Sequence, residues 1–449
     1  MTIAISPQAR GVRFFILAVS CLCAFTTACV AQEPISEGEK SRVISTAAAL
    51  ITKKYAVAET GQQIAQQLTA HFGSGAFDDA QTASALATAL TVYLKPFDVH
   101  FTVDWSSSVD TTETTGAVVE APATGADNYG FDAFTLLSGN IAYLKLSKFA
   151  LVELTDPEDL ALQKAKAMMT MMRDANAVVF DLRECAGGSP EMVQLLVSYF
   201  FDDEPRLIDR LYWRPDGNTY EFWTLPELSV DQHPDMPISI ITSGRTASAC
   251  EAFAYDIKSL SRGVLIGTRT LGAANPGETL SLGGGYTIFI PSGLVENAIT
   301  QNNWGGDGVT PDIEASYDHA VRTAHQSTLN TLLADEQPGS YEHTVWTWTN
   351  ERYDAQDNPI TLDDGWQRLI SGSYGKRTIT VAPEGLFYSR SKREPLRHLI
   401  PLGQNRFAIE GFDDTRVEFN RDQNTSVVMT IRSASGATSS YKKTAGAKQ

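Results

Sequence analysis

A hydroxyl that could act as a nucleophile stands where a predicted strand passes through a short turn into a predicted helix. Ser248 lies in the segment Ile238–Glu251, which has an apolar run, a Ser-Gly-Arg turn and a helix start. In the first turn of a helix, backbone N–H groups lack intrahelical partners and the helix dipole is positive. A serine there is either a structural cap or a nucleophile whose neighbouring amide, that of Ala249, faces a developing oxyanion. Spacing alone does not choose between the two.

Two further segments contain glycine-rich turns. In residues 178–190, a strand of buried type is followed by Gly187-Gly188 and a helix start. Such glycines let backbone N–H groups face a ligand, although an ordinary strand-to-helix connection has the same pattern. Residues 302–313 form the third segment and include Asp307. Its carboxylate could orient a base, but aspartates in turns mostly bond their own backbone.

The composition narrows the classes of function. The chain has 449 residues, of which 43% are hydrophobic and 20% charged, and its net charge is -17. This length predicts two to four domains, and the acidity argues against nucleic acid or an anionic membrane as a partner. The sequence has no His-Glu-x-x-His zinc motif and no phosphate loop, so we expect neither a metal nor another cofactor.

The first residues have the layout of a secretory signal peptide. Arg10 and Arg13 precede an apolar run over 14–25, and small residues continue to Ala31. The run is too short to span a bilayer, which needs about 20 apolar residues. We therefore predict a signal peptide over 1–31 and an exported chain, in the periplasm, in the cell envelope or secreted. Cys29 offers a second cleavage pattern, that of a lipoprotein, which would leave a lipid anchor on this cysteine.

The elements that must position these residues follow from the apolar spacing. Helical periodicity covers residues 38–96, and residues 97–103 alternate like a strand. A Ser/Thr/Gly/Ala-rich loop over 106–127 follows. From 129 to about 336, strands alternate with helices, as in a layered α/β domain. After 337 helices all but disappear, and short strands predict an all-β barrel or sandwich.

The α/β part contains five predicted strands and four predicted helices. The strands are residues 140–145, 177–182, 237–242, 263–267 and 285–291, and the helices are residues 157–174, 190–201, 247–260 and 318–335. The first two helices open with a proline, which is favoured in the first turn. Outside the signal region the only cysteines are Cys185 and Cys250. We expect two small buried hydrophobes, with a single bridge as the alternative.

Together and in this order, these segments resemble peptidase family S41, which includes the C-terminal processing proteases, tricorn and interphotoreceptor retinoid-binding protein. The resemblance runs from about Asn140 to Ile313. Four blocks carry it: Asp181-Leu182-Arg183 through Gly187-Gly188, Thr246-Ala247-Ser248-Ala249-x-Glu251, Gly267-Thr268-Arg269-Thr270-x-Gly272, and Gly308-Val309-Thr310-Pro311-Asp312. The helical part ending in Asp98-x-His100 resembles the amino-terminal domain of the retinoid-binding-like branch.

The resemblance implies a layered α/β core of the ClpP/crotonase-like type and a serine-type peptidase. It places Ser248 as the nucleophile and the amides of Gly188 and Ala249 in the oxyanion hole. A Ser-Lys dyad is excluded, because Ala273 stands where the processing proteases have lysine. His100 would be the base instead, since imidazole can take up a proton at neutral pH and return it to the leaving amine.

The orienting acid departs from the family pattern. Relatives have a glutamate where this chain has Gly305, and Asp307 could take its place. Without an orienting acid a serine hydrolase loses orders of magnitude in rate. An inactive, retinoid-binding-like module for apolar ligands therefore stays open as the alternative, and so does an adaptor that only presents the β domain.

The expected organisation is thus a signal peptide over 1–31, a helical domain over 36–105, an α/β peptidase domain over 128–336 and a small β-rich domain over 345–445. The expected substrates are peptides or unfolded protein segments, cleaved through an acyl-enzyme.

Overall fold

The structure is a computed structural model that describes residues 34–107, 125–423 and 425–444. The predicted signal peptide and Cys29 lie outside the described residues, as do residues 108–124 of the predicted loop. None of the described helices combines the length and the apolar character that a membrane crossing requires.

Three helices open the described chain: α1 (Glu37–Lys54), α2 (Ala58–Gly73) and α3 (Ala83–Leu94). Ser36 and Thr82 cap α1 and α3, and each hydroxyl accepts a hydrogen bond from the third backbone N–H of its helix. The apolar faces of all three helices are buried in one cluster. The predicted N-terminal helical region is confirmed.

Among the residues that the structure describes between 102 and 335, twelve strands and four helices follow. The strands are β1 (Thr102–Trp105), β2 (Phe131–Leu137), β3 (Ile141–Leu146), β4 (Ala177–Asp181), β5 (Leu207–Trp213), β6 (Asn218–Trp223), β7 (Ile238–Thr242), β8 (Gly263–Gly267), β9 (Gly277–Gly283), β10 (Tyr286–Pro291), β11 (Gly293–Asn297) and β12 (Ile313–Glu314). The helices are α4 (Leu160–Met172), α5 (Pro190–Ser198), α6 (Ala249–Ser259) and α7 (Ala320–Asp335).

A six-stranded sheet forms the centre, in the order β12-β8-β7-β4-β3-β2. All its pairs are parallel except β2 with β3. Both faces are covered: Val178 and Phe180 pack in one cluster with residues of α4, α5 and α6, whereas Ala177 and Val179 pack in another with α7. Burial on both faces explains why β4 is apolar without alternation. The predicted layered α/β core is confirmed.

The α/β elements follow the predicted alternation of strands and helices, with differences in one helix start and in the number of strands. α4 begins at Leu160 because the Asp159 carboxylate accepts a hydrogen bond from the Leu162 N–H, so Pro157 lies outside the helix and its predicted first-turn position is wrong. Pro190 does open α5. Six described strands were not predicted: β2, β9, β12 and the three strands of an additional antiparallel sheet, β11-β5-β6.

A small antiparallel sheet, β1-β10-β9, joins the N-terminal helices to the α/β part. Leu280, Tyr286 and Ile288 from β9 and β10 are buried in the same cluster as the helices. The predicted strand over 97–103 is wrong, because residues 95–100 form turns and β1 begins only at Thr102. His100 therefore lies in a turn that leads into this sheet.

The C-terminal part contains two helices before its strands. They are α8 (Tyr341–Asp357) and α9 (Asp364–Ile370), so the expectation that helices nearly disappear after 337 is wrong. Eight antiparallel strands follow in sequential order: β13 (Gly372–Tyr374), β14 (Arg377–Ala382), β15 (Gly385–Ser389), β16 (Arg397–Gly403), β17 (Arg406–Ile409), β18 (Phe412–Arg421), β19 (Val427–Ser433) and β20 (Thr438–Lys442). The Thr444 N–H donates to the Ser373 carbonyl at 2.8 Å and brings the two edges together, so the sheet is barrel-like.

Candidate active site

Ser248 is the N-cap of α6, at the carboxyl end of the central strand β7. Its backbone has φ 51° and ψ −124°, in the left-handed half of conformational space that residues with a Cβ rarely adopt. Such a conformation at a half-buried serine is a local strain that the surroundings must hold in place. The turn before it is held by two bonds, Ser243 Oγ to the Arg183 carbonyl at 2.6 Å and Thr246 Oγ1 to the Leu182 carbonyl at 2.8 Å.

The buried carboxylate of Glu251 fixes the backbone on both sides of this site. It accepts hydrogen bonds from the N–H of Ser248 at 2.9 Å, of Gly272 at 2.7 Å and of Ala273 at 2.8 Å, and from Thr270 Oγ1 at 2.5 Å. Burial raises its pKa above the ordinary value, although these four bonds act in the opposite direction. Glu251 thereby ties the turn that contains Ser248 to the loop over 270–275.

The Gly187-Gly188 turn lies against Ser248. A Cβ on Gly187 would come within 2.8 Å of Ser248 Cβ, and one on Gly188 within 1.7 Å of the Phe149 carbonyl oxygen. Their φ values of 121° and 138° also favour glycine. Within the described residues, the N–H groups of Gly188 and Ala249 donate no backbone or side-chain hydrogen bond. Both are therefore available to an incoming oxygen.

A disulfide joins Cys185 and Cys250, so the expectation of two separate buried thiols is wrong and the alternative of a single bridge is correct. Both cysteines are fully buried. Cys185 precedes the Gly187-Gly188 turn, and Cys250 stands two residues after Ser248. The bridge therefore links the glycine turn covalently to the helix that presents the serine.

His100 is held by a carboxylate two residues before it. Asp98 Oδ1 lies 3.0 Å from His100 Nδ1 and also accepts the His100 backbone N–H at 3.0 Å. Asp98 Oδ2 accepts a hydrogen bond from Asn275 Nδ2 at 3.0 Å. Burial would raise the pKa of Asp98, but the bonds from His100 and Asn275 together hold it below its ordinary value. Asp98 is thus a carboxylate at neutral pH, and Nδ1 is the ring atom that donates to it.

The second ring nitrogen of His100 has no partner. Nε2 is buried and forms no hydrogen bond in the described part of the chain, including none with Ser248. The His100 side chain is 12% exposed and its ring stacks on Phe289 with centroids 5.9 Å apart. Asn275, which bonds the Asp98 carboxylate, stands between Ala274 and Pro276, and these two residues line the same cavity as Ser248. The histidine turn is therefore connected to the edge of the serine cavity.

This cavity begins at the predicted oxyanion groups and runs along one face of α6. Gly188, Ser248 and Ala249 line its upper end, and Ala252 and Asp256 continue along the helix. The space among these residues, counted together with the open mouth, is about 570 Å³. Most of the remaining walls are apolar: Ile208, Leu211, Phe222, Val295 and Trp304.

The part of the chain that contains Ser248 matches a known protein family. Residues 140–315 match the model of peptidase family S41. The resemblance inferred from the sequence is confirmed over this S41 segment, which includes β3 to β12, Ser248 and both glycines of the turn. His100 and Asp98 lie outside it.

Solved structures of low sequence identity share parts of the fold. A protein from Bacteroides fragilis assigned to the S41 proteases is 20% identical with a TM-score of 0.38, and the match covers 43% of this chain and 53% of that one. A lipoprotein from Streptococcus agalactiae is 14% identical with a TM-score of 0.44, and the match covers 66% of this chain and 98% of that one. The photosystem II D1 C-terminal processing protease is 13% identical with a TM-score of 0.40, and the match covers 63% of this chain and 94% of that one. This chain thus spans about half of the Bacteroides protein, and these likenesses carry no argument about activity.

Within the S41 segment, Ala273 at the lysine position and Asp307, the predicted replacement for the missing glutamate, have distinct surroundings. Ala273 is buried, and its N–H belongs to the Glu251 network. Asp307 is exposed, and its backbone carbonyl accepts a hydrogen bond from Arg269 Nη1 at 3.0 Å. No hydrogen bond or ion pair joins Asp307 to His100 in the described residues. The structure brings Ser248, Gly188 and Ala249 together, connects His100 to their cavity, and does not bring Asp307 to the histidine.

Asp98 is the site residue that sequence reasoning missed as an acid. The signal was present, because Asp98-x-His100 places a carboxylate two residues before the imidazole. In a turn, an aspartate at this spacing can bond both the backbone N–H and the ring of the later residue. Asp307 was expected to be the acid instead, because it lies two residues after Gly305, where relatives have a glutamate.

Proposed function

We propose that the chain is a serine-type peptidase that hydrolyses peptides or unfolded protein segments. Ser248 is its nucleophile, His100 its base and Asp98 the carboxylate that orients the base. The single observation that carries the proposal is the buried, unpartnered Nε2 of His100, on a ring whose other nitrogen is bonded to Asp98. A buried ring nitrogen without a partner is unfavourable unless another group completes it during function.

The chemistry follows the ordinary route of acyl transfer. Ser248 Oγ attacks the peptide carbonyl carbon while its proton passes to His100 Nε2, and the carbonyl oxygen becomes an anion. The N–H groups of Gly188 and Ala249 are the proposed donors to that anion. The C–N bond then breaks as His100 returns the proton to the leaving amine. Water repeats the sequence on the acyl-enzyme and releases the acid.

His100 and Ser248 must approach within about 2.6–3.2 Å for the proton transfer, and such bonds are often longer before substrate binds. Two contacts support this approach. Asn275 bonds the Asp98 carboxylate, and Glu251 bonds the Ser248 N–H and the Ala273 N–H at the start of the same loop. The loop over 270–275 thus contacts both the histidine turn and the nucleophile turn.

We also propose that the chain is exported. The predicted signal peptide over 1–31 supports this, and so does the Cys185–Cys250 bridge, since disulfides persist mainly in oxidising compartments. A soluble and a lipid-anchored form differ only in the processing of Cys29. Mass spectrometry of the mature N-terminus distinguishes the two forms.

A serine-directed fluorophosphonate probe tests the catalytic proposal. Wild-type protein is expected to be labelled at Ser248, and both Ser248→Ala and His100→Gln are expected to lose labelling. Ser261→Ala is the matched control, because Ser261 follows the other end of α6 and also has a positive φ, 54°. Labelling that persists in Ser248→Ala contradicts the assignment, and a folded wild type without labelling or cleavage favours a non-catalytic binding module.

A further inference from the structure

The far end of the serine cavity holds two buried acidic side chains. Asp209 from β5 and Asp256 from α6 both line it, with exposed fractions of 8% and 0%. Within the described residues, Asp256 Oδ2 is buried and accepts no hydrogen bond from an amide, hydroxyl or cationic group. Leaving such an oxygen without a donor costs about 1–3 kcal/mol, and more if it is charged. The two carboxyl groups lie within hydrogen-bonding reach of each other, so either a proton shared between them or a donor from a ligand can complete their free oxygens.

One amide fixes the orientation of both acids. Asn297 Nδ2 donates to Asp256 Oδ1 at 3.0 Å and to Asp209 Oδ1 at 3.3 Å. Its Oδ1 accepts the backbone N–H groups of Ile299 and Thr300, at 3.1 and 3.2 Å. Because these N–H groups can only donate, the amide cannot turn over without losing both bonds. Asn297 therefore satisfies one oxygen of each acid and leaves the second oxygen of Asp256 without a hydrogen bond from this amide.

No described cation is paired with either acid. The nearest arginine along β5, Arg210, bonds Glu221 and Glu296 on the neighbouring strands instead. Burial and the proximity of the two acids raise the pKa of Asp256 well above its ordinary value, and burial raises that of Asp209 to about 7. Two adjacent carboxyl groups without a counter-charge form a site that a cation would stabilise.

The cavity walls suit a ligand that has an apolar stretch next to its cationic group. Ser248, Ala252 and Asp256 follow one another at four-residue spacing, so they lie on one face of α6, and two helical turns rise about 12 Å. Side chains lean toward the N-terminus of a helix, which brings the Asp256 carboxyl back toward Ser248. The small side chain of Ala252 leaves the space between them open. A ligand anchored at Ser248 must therefore cross an apolar stretch before it reaches the acids.

We propose that this cavity binds the side chain of the residue whose carbonyl Ser248 attacks, and that this residue is lysine or arginine. Both side chains combine a long apolar stem with a cationic head. The stem would lie along the apolar walls, and the head would donate to Asp256 Oδ2 and to Asp209. The inference rests on the proposed peptidase function and adds its substrate class.

Peptides that differ only at this residue test the inference. Fluorogenic peptides carrying lysine, arginine, norleucine or glutamine on the acyl side of the scissile bond are compared at pH 8. Wild type is expected to cleave the lysine or the arginine peptide with a kcat/KM about 10- to 100-fold above norleucine, the factor for one charge-assisted hydrogen bond. In Asp256→Asn and in Asp209→Asn/Asp256→Asn, this preference is expected to disappear.

Glu296→Gln is the matched control. Glu296 precedes Asn297 on β11, is half exposed and loses the same charge on substitution. The control is expected to keep the preference for a basic residue. The asparagine variants should fold, since they remove buried acids that are costly to ionise, and thermal unfolding checks this.

A binding measurement separates the inference from the peptidase proposal. Fluorescence anisotropy records the affinity of the same four peptides for Ser248→Ala, with and without Asp256→Asn. Tighter binding of a basic peptide that depends on Asp256 supports the subsite even if wild type neither cleaves nor reacts with fluorophosphonate. Equal binding of the lysine, arginine and norleucine peptides overturns the inference. Equal cleavage of these peptides, with Ser248 labelled normally, overturns it and leaves the peptidase proposal intact.

Discussion

Replacing Asp98 by asparagine is expected to lower kcat on a peptide substrate by about 10³-fold while leaving the fold intact. During proton transfer His100 becomes a cation whose Nδ1 lies 3.0 Å from Asp98 Oδ1. With the two charge centres about 4 Å apart and an effective dielectric constant of about 20, the Coulomb attraction is about 4 kcal/mol. Each 1.36 kcal/mol is a factor of ten in rate, which gives the expected loss.

The local structure should tolerate the asparagine. An amide oxygen at the Oδ1 position still accepts both bonds from His100, so the ring keeps the tautomer with a free Nε2. Asn275 Oδ1 is buried without a partner, and rotation of that amide would let it accept from the new side-chain NH₂. We therefore expect a small change in Tm beside a large change in kcat.

Asp307→Asn is the companion variant, and it is expected to change kcat by less than about twofold because Asp307 is exposed, its charge is screened by solvent and it forms no bond with His100 in the described residues. Steady-state kinetics on one fluorogenic peptide, together with the rate of fluorophosphonate labelling, compares the two variants. Near-normal kcat in Asp98→Asn with strong loss in Asp307→Asn would reverse the assignment of the acid. Near-normal kcat in both would mean that His100 works without an orienting carboxylate.

Two predictions concern stability. Ser248→Gly is expected to be more stable than Ser248→Ala by about 1 kcal/mol, because glycine adopts φ 51° and ψ −124° without strain; a lower Tm for the glycine variant would argue against strain at this position. The second prediction concerns the acid pair, in which the pKa of Asp209 is raised to about 7. The folded state therefore keeps a proton that the unfolded chain releases from about pH 4 upward. The free energy of unfolding of the wild type should accordingly fall between pH 4 and pH 7. In the described residues, no charged group other than these two acids acts on the pair, so Asp209→Asn/Asp256→Asn should remove the fall in stability. The Tm advantage of the double variant should widen from pH 5 to pH 8, and a constant difference in Tm would contradict the assignment.

The sequence predicted the central core well because its strands are buried on both faces. Uninterrupted apolar runs such as 177–181 and 238–242 are typical of parallel strands, and the helices between them have clear periodicity. α8 was missed because it buries only Val345, Trp346 and Thr349 and has no continuous apolar face. β6 was missed because most of its residues are exposed and show no alternation.

The residues of the candidate site also differ in how well the sequence pattern could predict them. Ser248 and Gly188 stand at ends of predicted strands, so local pattern could find them. The acids of the cavity could not be found in this way, since Asp209, Asp256 and Asn297 come from a strand, a helix and another strand far apart in the sequence. Only the packing of β5 and β11 against α6 brings them together, and no spacing in the sequence encodes that contact.

The bridge between Cys185 and Cys250 joins positions 65 residues apart and links the Gly187-Gly188 turn to α6. Thiols stay reduced in the bacterial cytosol, so a precursor that waits there for export would carry the glycine turn and the serine helix as two unlinked pieces. The two pieces would be locked to each other only on arrival in an oxidising compartment. Location would then act as the final step of enzyme maturation, and protein produced in a reducing host would not be equivalent to the native form.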